Sequence, residues 1–377
     1  MSVLDIAKRV NRLSNDWANQ FEPDQPTVAS GFGVWLLLAT LLIGAEDDAR
    51  TELESVTGIL QNEASTAISS LMDAVEAVDG LKLAIAVWLH DSIELLPEFI
   101  AKSPKVSIRA IAESQEILDA WAAEKTDHLI EKFPLEIAPD SLLILASALV
   151  AKGTWKKVFR EQAGMLTTAF RNLNIAAVIY HEETAISRII VEADNGLDVY
   201  LLAGSETDSP SAVVTAGLSE LLGTAKVING DQLKDGDQAG CLKASLYHSE
   251  ASKIHLRLPQ FEISSTHDLL RSPETFALKS ACDKSRGHFP GISEFPLAVD
   301  QAAQNAMMSF GPKGFEAAAV TAISLLAGGC GTVEQNEKKL QLIATFDRSF
   351  GFIVVESESK LALFTGWVTE SAFVVEK

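Results

Sequence analysis

The first third of the chain has the hydrophobic periodicity of helices. Apolar positions recur at helical spacing from Asn11 to Phe21, and residues 34–45 form an uninterrupted apolar run. Such a run is typical of a helix buried on all sides, and it is shorter than the roughly 20 residues that a bilayer crossing needs. Acidic residues directly after Ala45 mark the first turn of another helix, where the helix dipole stabilises them. The pattern predicts further helix from Ser103 to Phe133.

Strand patterns appear next and then dominate. Large apolar side chains occupy alternate positions from Leu81 to Leu89, which predicts a strand within the helical region. Residues 142–150 are apolar throughout, as expected for a strand covered on both faces. Beyond residue 150, strand signals are separated by turns such as those at 194–196 and 229–231. Helices first and strands afterwards predict an α+β fold, and no linker or repeat divides residues 1–377 into more than one domain.

One segment fits no single element. Residues 317–327 are uncharged and begin with small side chains, and they run into the glycine-rich stretch 328–331. The alanines favour helix, the alternation of Ala319, Thr321 and Ile323 favours strand, and the glycines favour a loop. Taken alone, the segment fits a plain buried helix or strand; the alternative is a segment that adopts two conformations.

Composition identifies a globular and strongly acidic protein. Of 377 residues, 47% are hydrophobic and 22% are charged, which gives enough apolar material for a large core and too little charge for a disordered chain. Asp and Glu number 51 against 31 Lys and Arg, for a formal net charge of −20. A surface of this sign repels phosphate groups, so we expect neither nucleic acid nor a membrane as a partner.

Several kinds of chemistry have no matching motif. The seven histidines show no metal-ligand spacing, the glycines at 328–331 lack the Lys-Ser/Thr ending of a phosphate-binding loop, and the Gly-x-Ser-x-Gly motif is absent. We therefore expect no metal or other cofactor and no enzymatic activity. Cys241, Cys282 and Cys330 are odd in number and widely spaced, so they predict no disulfide framework. Cys330 is either a bystander thiol or one with a redox role.

The N-terminal segment bears on the cell compartment. Residues 1–9 fit an amphipathic helix and lack the basic leader, apolar stretch and cleavage site of a secretory signal. Together with the cysteine pattern, this predicts a cytoplasmic protein. A secreted protein whose leader had been removed would show the same features.

Several short sequence blocks resemble blocks of one known protein family, and they occur along the chain in the same order as in that family. The blocks are Gly44-Ala45 with Arg50-Thr51-Glu52-Leu53, Leu95-x-Pro97-Glu98-Phe99, Trp121-x-x-x-Lys125-Thr126, Lys152-Gly153-Thr154-Trp155 with Phe159, Leu258-Pro259-Gln260-Phe261 with Asp268-Leu269, Phe289-x-Gly291-Ile292-Ser293, Phe346-x-Arg348-Ser349-Phe350 and Leu363-Phe364-x-Gly366. In these blocks the chain resembles a serpin, in a divergent form of prokaryotic type.

The hinge pattern of serpins, Glu-Glu-Gly-Thr-Glu followed by small residues and a Thr, also has a counterpart. It is the segment Gly314-Phe315-Glu316-Ala317-Ala318-Ala319-Val320-Thr321, which departs from the pattern at Phe315. The two acids that precede the hinge glycine in the family are Pro312 and Lys313 here.

The segments that guard opening of the central sheet in serpins depart from the family pattern. The Ser-Pro-x-Ser shutter segment is Ser30-Gly31-Phe32-Gly33 here, the shutter Asn falls at Ser147, and the shutter His falls at Gln304. The resemblance therefore implies a hydrogen-bond cluster that is rebuilt or weaker. It also implies that Trp155 is a core residue beneath the entry point of the loop, the alternative being a ligand-stacking aromatic.

The resemblance implies a fold and a mechanism. Helices surround a large central mixed sheet and two smaller sheets, and an exposed reactive-centre loop spans about residues 312–345. A protease attacks this loop and forms an acyl-enzyme, after which the cleaved loop enters the central sheet as an extra strand. Alternate residues from Phe315 to Leu325 are apolar or small, as a core position requires, whereas the charge of Glu316 falls on the other face.

The family's spacing between hinge and scissile bond places that bond at Gly328–Gly329. Small residues there suit elastase- or subtilisin-like enzymes. The stretch up to Phe346 is longer than the family norm, so bonds at Cys330 or at Lys338–Lys339 are alternatives, and the latter suits a trypsin-like enzyme.

We therefore expect a monomeric inhibitor of serine-type proteases, with cysteine proteases as a second class of target. Phe315 would be among the first side chains to enter the sheet, and its bulk could slow insertion relative to hydrolysis of the acyl-enzyme. A slow loop gives the alternative function, a non-inhibitory binding or carrier serpin that proteases merely cleave.

Overall fold

A computed structural model describes residues 1–374 apart from 104, 111–114, 127, 129–130, 134–135, 137–141 and 316–336. The helices within these ranges are α1 (Val3–Ala18), α2 (Gly31–Gly44), α3 (Asp47–Thr57), α4 (Ala64–Glu76), α5 (Pro97–Lys102), α6 (Gln115–Lys125) and α7 (Pro210–Leu222). The strands are β1 (Thr27–Ala29), β2 (Leu81–Leu89), β3 (Ser107–Ala110), β4 (Leu143–Ala151), β5 (Gly153–Thr154), β6 (Arg160–Gln162), β7 (Met165–Phe170), β8 (Ala176–His181), β9 (Thr184–Glu192), β10 (Leu197–Ala203), β11 (Lys226–Asn229), β12 (Gln238–Ala239), β13 (Leu242–His248), β14 (Lys253–Leu258), β15 (Phe261–Asp268), β16 (Gln301–Phe310), β17 (Gly314–Phe315), β18 (Lys338–Thr345), β19 (Phe350–Glu356) and β20 (Ala362–Val368).

The strands form three sheets, which confirms the α+β prediction. The central sheet has the order β3-β2-β4-β16-β17-β5, and β15 pairs with β16. The second sheet has the order β1-β20-β19-β10-β9-β8-β11, and the third sheet has the order β12-β13-β18-β14-β7-β6. The central sheet is mixed, because β4 runs parallel to β16 but antiparallel to β2.

Helix α2 forms the middle of the core. All of its residues are buried, and it packs against strands of both the central and the second sheet. This environment explains its uninterrupted apolar sequence, since a helix without a solvent face needs no polar stripe. On the other side of the central sheet, Trp121 of α6 packs edge-on against Trp88 of β2, with ring centroids 5.9 Å apart. Among the described residues, no helix is long and apolar enough to span a membrane.

The prediction of continuous helix from Ser103 to Phe133 was wrong in part. Strand β3 lies within that range and pairs in parallel with β2, with Ser107 opposite Ala86. The β-branched residues Val106 and Ile108 favour an edge strand at this position, and the helical pattern resumes only in α6.

Helix α7 interrupts the region where strand signals dominate. The Ser209 side chain accepts a hydrogen bond from the backbone N–H of Ala212, and Pro210 occupies the first turn. The helix ends at Gly223, whose φ of +73° lies in the left-handed region that glycine adopts without strain.

Candidate functional site

The central sheet contains two neighbouring strands that pair along only part of their length. Strands β4 and β16 form a parallel ladder from Ile144–Gln301 to Ala148–Asn305. Beyond these residues, the described part of the sheet shows no further pairing between the two strands. At the far end β17 lies between β16 and β5, the short strand that follows β4, because Phe315 pairs with Phe310 on one side and with Gly153 on the other. Gly314 and Phe315, near the start of the predicted loop, thus lie at the top of this position, and no other described residue pairs between β4 and β16 there.

The turn at residues 311–314, called here the hinge turn, is held by the segment that follows β5. The backbone N–H groups of Trp155 and Phe159 each donate 2.8 Å hydrogen bonds to the carbonyls of Lys313 and Pro312. The indole Nε1 of Trp155 also donates to the carbonyl of Gly311, at 2.9 Å. The serpin-like Lys-Gly-x-Trp…Phe block therefore supplies the donors that fix where the loop begins.

Phe315 is packed into the sheet in this structure. Its side chain is fully buried, and its ring centroid lies 5.3 Å from that of Trp155, the core residue of this end. Two glycines make room for this arrangement. A Cβ on Gly153 would lie 2.6 Å from the Phe315 ring, and a Cβ on Gly314 would lie 2.1 Å from the carbonyl oxygen of Gly153. The close approach of β5 and β17 therefore requires glycine at both positions.

The residues assigned to the shutter come together where β4 and β16 are paired. The Gln304 amide oxygen accepts a 2.7 Å hydrogen bond from the Ser30 backbone N–H. The Gln304 Nε2 donates to the Ser30 carbonyl at 2.9 Å and to the Ser147 Oγ at 3.3 Å. A Cβ on Gly33 would lie 2.9 Å from the Ser147 Oγ, so a glycine lets the start of α2 approach the cluster. We call Ser30, Gly33, Ser147 and Gln304 the shutter cluster.

Two further residues extend this network, and sequence reasoning missed both. His267 of β15 lies directly opposite Gln304, and its Nε2 donates a 2.8 Å hydrogen bond to the carbonyl of Val28. Ser265 accepts a 3.0 Å hydrogen bond from the Val28 backbone N–H. Burial lowers the pKa of His267, because the charged imidazolium loses its hydration. The Ser265-Thr266-His267 stretch just before Asp268-Leu269 was the available signal, but it does not show which strand lies beside it.

Other predicted site residues fall partly outside the described structure. Of the hinge, Gly314 and Phe315 are described, whereas Glu316, Ala317, Ala318, Ala319, Val320 and Thr321 lie outside the described residues, as do Gly328, Gly329 and Cys330 at the predicted scissile bond. The alternative bond Lys338–Lys339 lies in the first two residues of β18, where Lys338 pairs with His248 and Lys339 with Tyr247. The predicted loop of 312–345 therefore has both of its described ends in strands.

The described cysteines are poor nucleophiles. Burial raises the pKa of the Cys241 thiol to about 12 and that of Cys282 to about 11. Each is therefore almost entirely protonated near neutral pH, and the thiolate is the reactive form. In the described ranges, no group of three or more His, Cys, Asp or Glu residues is arranged to hold a metal ion.

Known proteins share both the sequence pattern and the architecture. A family model described as "Serpin (serine protease inhibitor)" matches residues 9–174 and 232–371. Alpha-1-antiproteinase 2 of Equus caballus is 23% identical over 356 residues, which cover 88% of this chain and 78% of that protein. Native protease nexin-1, solved with heparin, has a TM-score of 0.73 at 17% identity and covers 98% of this chain and 100% of its own. Human thyroxine-binding globulin with thyroxine has a TM-score of 0.71 at 16% identity, with 98% and 99% covered.

These similarities establish the fold and the family but not the activity. The similar proteins include one named as an antiproteinase and one named for binding thyroxine, so the family carries both inhibitors and binding proteins. The family model nevertheless spans most of the chain, on either side of α7, and includes β4, β5, β16 and the predicted loop. The chain belongs to the serpin family.

Proposed function

We propose that this chain is a suicide inhibitor of serine-type proteases that works by loop insertion. The observation that carries the proposal is that, among the described residues, β4 and β16 pair along only part of their length, and β17 already lies between β16 and β5 at the unpaired end. A strand that enters this position gains hydrogen bonds on both sides and buries apolar side chains, and this gain drives the transition. Serpins are mostly protease inhibitors and not enzymes, which agrees with this use of the sheet.

The register of the seated strand indicates where the loop would go. Phe315 pairs with Phe310 and with Gly153. An entering strand would be antiparallel to both neighbours, so for each step forward along the loop its partners in β16 and β4 lie one residue further back in the sequence. Continued without a bulge, this register brings Thr321 opposite Gln304 and Ser147. The same register brings Val320 opposite Asn305 and Ala148, the end pair of the β4–β16 ladder, so insertion from Val320 onward must separate that ladder. Insertion of Thr321 then breaks the Gln304–Ser147 hydrogen bond.

The loop sequence suits this path. Residues on the same face as buried Phe315 are Ala317, Ala319, Thr321 and Ile323, and none carries a charge. A charge at one of these positions would have to be buried without a partner, at a cost of several kcal/mol. Glu316 lies on the opposite face of the entering strand and avoids that cost.

Proteases of different specificity test the proposal directly. The chain is incubated with elastase, subtilisin and trypsin, and the products are separated on denaturing gels. We expect an SDS-stable band at the mass of the protease plus the 40.6 kDa chain, less the released C-terminal peptide. We also expect that peptide to begin at Gly329. A peptide beginning at Lys339 or Leu340 would instead identify the trypsin-like bond.

A matched pair of loop variants tests insertion itself. Thr321→Arg places a charge on the inward face, and Ala322→Arg places it on the outward face one residue away. We expect Thr321→Arg to be cleaved without forming the covalent band, and Ala322→Arg to form the band as the unmodified chain does. Equal behaviour of the two variants, or cleavage of the unmodified chain without a band, would contradict the proposal and favour a non-inhibitory serpin.

A further inference from the structure

The outward face of the third sheet is basic in a protein that is otherwise strongly acidic. Strand β14 alternates strictly: Ile254, Leu256 and Leu258 are buried, whereas Lys253, His255 and Arg257 point away from the core. This alternation is the ordinary pattern of a strand with one buried face. The outward residues are unusual because all three are of the basic residue types, in a chain with a net charge of −20.

The strand register extends this basic surface across the sheet. Arg160 of β6 and Arg257 lie on either side of Thr167, in one cross-strand row. In the next row, Lys243 of β13 and His255 lie on either side of Ile343. Neighbouring strands are about 5 Å apart and successive rows about 7 Å apart, so these cations share one continuous patch. We call Arg160, Lys243, Lys253, His255 and Arg257 the basic face.

The Lys and Arg side chains of the basic face have no carboxylate partner among the described residues. Within the part of the chain that the structure describes, Arg160, Lys243, Lys253 and Arg257 form no ion pair. Lys339, at the end of the same sheet, does pair with Glu337, at 2.8 Å. In a chain with 51 acidic and 31 basic residues, four such cations on one face form a patch of opposite sign to the molecule. A patch of this kind raises the local concentration of anionic partners.

We propose that the basic face docks an acidic surface of the same protease that attacks the reactive-centre loop. This inference rests on the proposed function, and the position of β18 in the third sheet supports it. The chain that leaves the sheet at Phe315 returns at Lys338, the first residue of β18, and β18 lies between β13 and β14 in the middle of the patch. A protease held by the loop is therefore tethered next to the basic face.

Exposed apolar side chains favour a folded protein over a polyanion as the occupant. Ile343, in the middle of the patch, is 38% exposed, and Tyr247, on β13, is 52% exposed. Protein interfaces use aromatic and apolar side chains of this kind together with Arg, whereas a flexible polyanion offers them no apolar partner. The cations steer the approaching protease, and the apolar pair provides contact area once it is docked.

Two forms of one protease isolate the charge effect. The probes are subtilisin and subtilisin succinylated on its lysines, which converts ammonium groups into carboxylates and leaves the specificity for the loop in place. The basic-face variant carries four substitutions, Arg160→Gln, Lys243→Gln, Lys253→Gln and Arg257→Gln. The control variant removes four exposed cations elsewhere, Lys8→Gln, Arg12→Gln, Lys226→Gln and Lys279→Gln, and so has the same net charge. Rate constants of covalent complex formation are measured at low and high salt.

With succinylated subtilisin at low salt, we expect the rate constant of the basic-face variant to fall about tenfold and that of the control variant to change little. The difference should shrink at high salt because screening removes the steering. Equal rates for the two variants would overturn the inference while leaving the proposed function intact.

Two further outcomes separate the alternatives. If the unmodified chain forms no covalent complex, the proposed function fails. Equilibrium binding of active-site-blocked succinylated subtilisin to the chain and its variants then still tests the basic face. Heparin provides the polyanion test. Loss of heparin binding in the basic-face variant alone, with no change in the rate of complex formation, would assign the face to a polyanion and refute docking of the protease.

Discussion

Replacement of Gln304 by Leu removes the centre of the shutter cluster without a large change in side-chain volume. Gln304 is 1% exposed and makes three hydrogen bonds, at 2.7 Å and 2.9 Å to the Ser30 backbone and at 3.3 Å to Ser147. The Ser30 carbonyl keeps a second donor, the Val34 N–H at 3.2 Å. The Ser30 N–H and the Ser147 hydroxyl lose the partners just described.

The cost follows from these lost partners. A buried donor left unsatisfied costs about 1–3 kcal/mol, and loss of the weaker Ser147 contact adds about 1 kcal/mol, so we expect about 2–4 kcal/mol in total. That is a large share of the roughly 5–15 kcal/mol that keeps a domain folded. The same bonds link β4, β16 and the start of α2, so the substitution also raises the population in which the β4–β16 ladder is open. A change of about 2 kcal/mol corresponds to about a 30-fold larger population.

Two measurements separate destabilisation from sheet opening. Urea unfolding gives the free energy of the folded state, and timed incubation without protease, followed by titration with subtilisin, gives the rate at which inhibitory capacity is lost. Gln341→Leu is the matched control, because Gln341 is also buried and its Nε2 donates to the Ala251 carbonyl at 2.8 Å, but it lies in the third sheet. We expect both variants to lose stability and only Gln304→Leu to lose capacity rapidly.

A third variant restores part of the cluster. Gln304→His returns the residue that the family has at this position, and its ring can keep one of the polar contacts. We therefore expect a loss of stability between those of the unmodified chain and Gln304→Leu. The reasoning would be refuted if Gln304→Leu unfolded at the same urea concentration as the unmodified chain, or if the two glutamine variants lost capacity equally fast.

Three other predictions concern the hinge, a buried ion pair and pH. Gly314→Ala should displace β17 from the sheet, because the new Cβ would lie 2.1 Å from the Gly153 carbonyl oxygen. Gly311→Ala is the control and should leave β17 in place, because the nearest atom to its Cβ would be 3.7 Å away. Protease cleavage between residues 312 and 320 measures the difference. Arg188→Ala should cost about 3–5 kcal/mol in urea unfolding because it leaves Glu220 without its 2.8 Å partner, whereas Arg50→Ala at an exposed pair should cost under about 1 kcal/mol. The pKa of His267 is lowered in the folded chain, so as pH falls below about 6.5 the unfolded chain binds a proton at this residue before the folded chain does. The free energy of unfolding should therefore be constant above about pH 6.5 and fall below it by at most about 1.4 kcal/mol per pH unit. His267→Gln should remove this dependence, and His90→Gln, at a partly exposed site outside the shutter region, should not.

The sequence predicts those parts of the fold whose environment is uniform. Helix α2 and strand β4 are each covered on all sides, and an unbroken apolar run has no other common explanation. Strand β3 is different, because it is short, lies at a sheet edge and sits between two helices. Helix α7 was missed although Ser209-Pro210 and Gly223 are ordinary helix boundaries, because its alternating neighbours were read as strands.

The residues of the site also differ in whether the sequence alone predicts them. Ser30, Ser147 and Gln304 were identified because each falls on a position of the family pattern, and the structure brings their side chains together. His267 and Ser265 could not be found like this. Their roles depend on the register between β15 and β16 and on the position of β1, which are tertiary features that local sequence patterns do not contain.

The place of Phe315 changes where the barrier to insertion should lie. The sequence alone suggests that the ring must enter the sheet and that its bulk slows this step. In the structure the ring is buried against Trp155 before any cleavage, and a side chain that is buried before and after insertion contributes little to the difference between the two states. On the proposed mechanism, the slow step then moves to the β4–β16 ladder, which must separate from its Ala148–Asn305 end before residues from Val320 onward can pair. Phe315→Thr should accordingly lower the free energy of unfolding, by up to the about 3–5 kcal/mol of a buried Phe truncation, and leave the ratio of inhibition to cleavage unchanged.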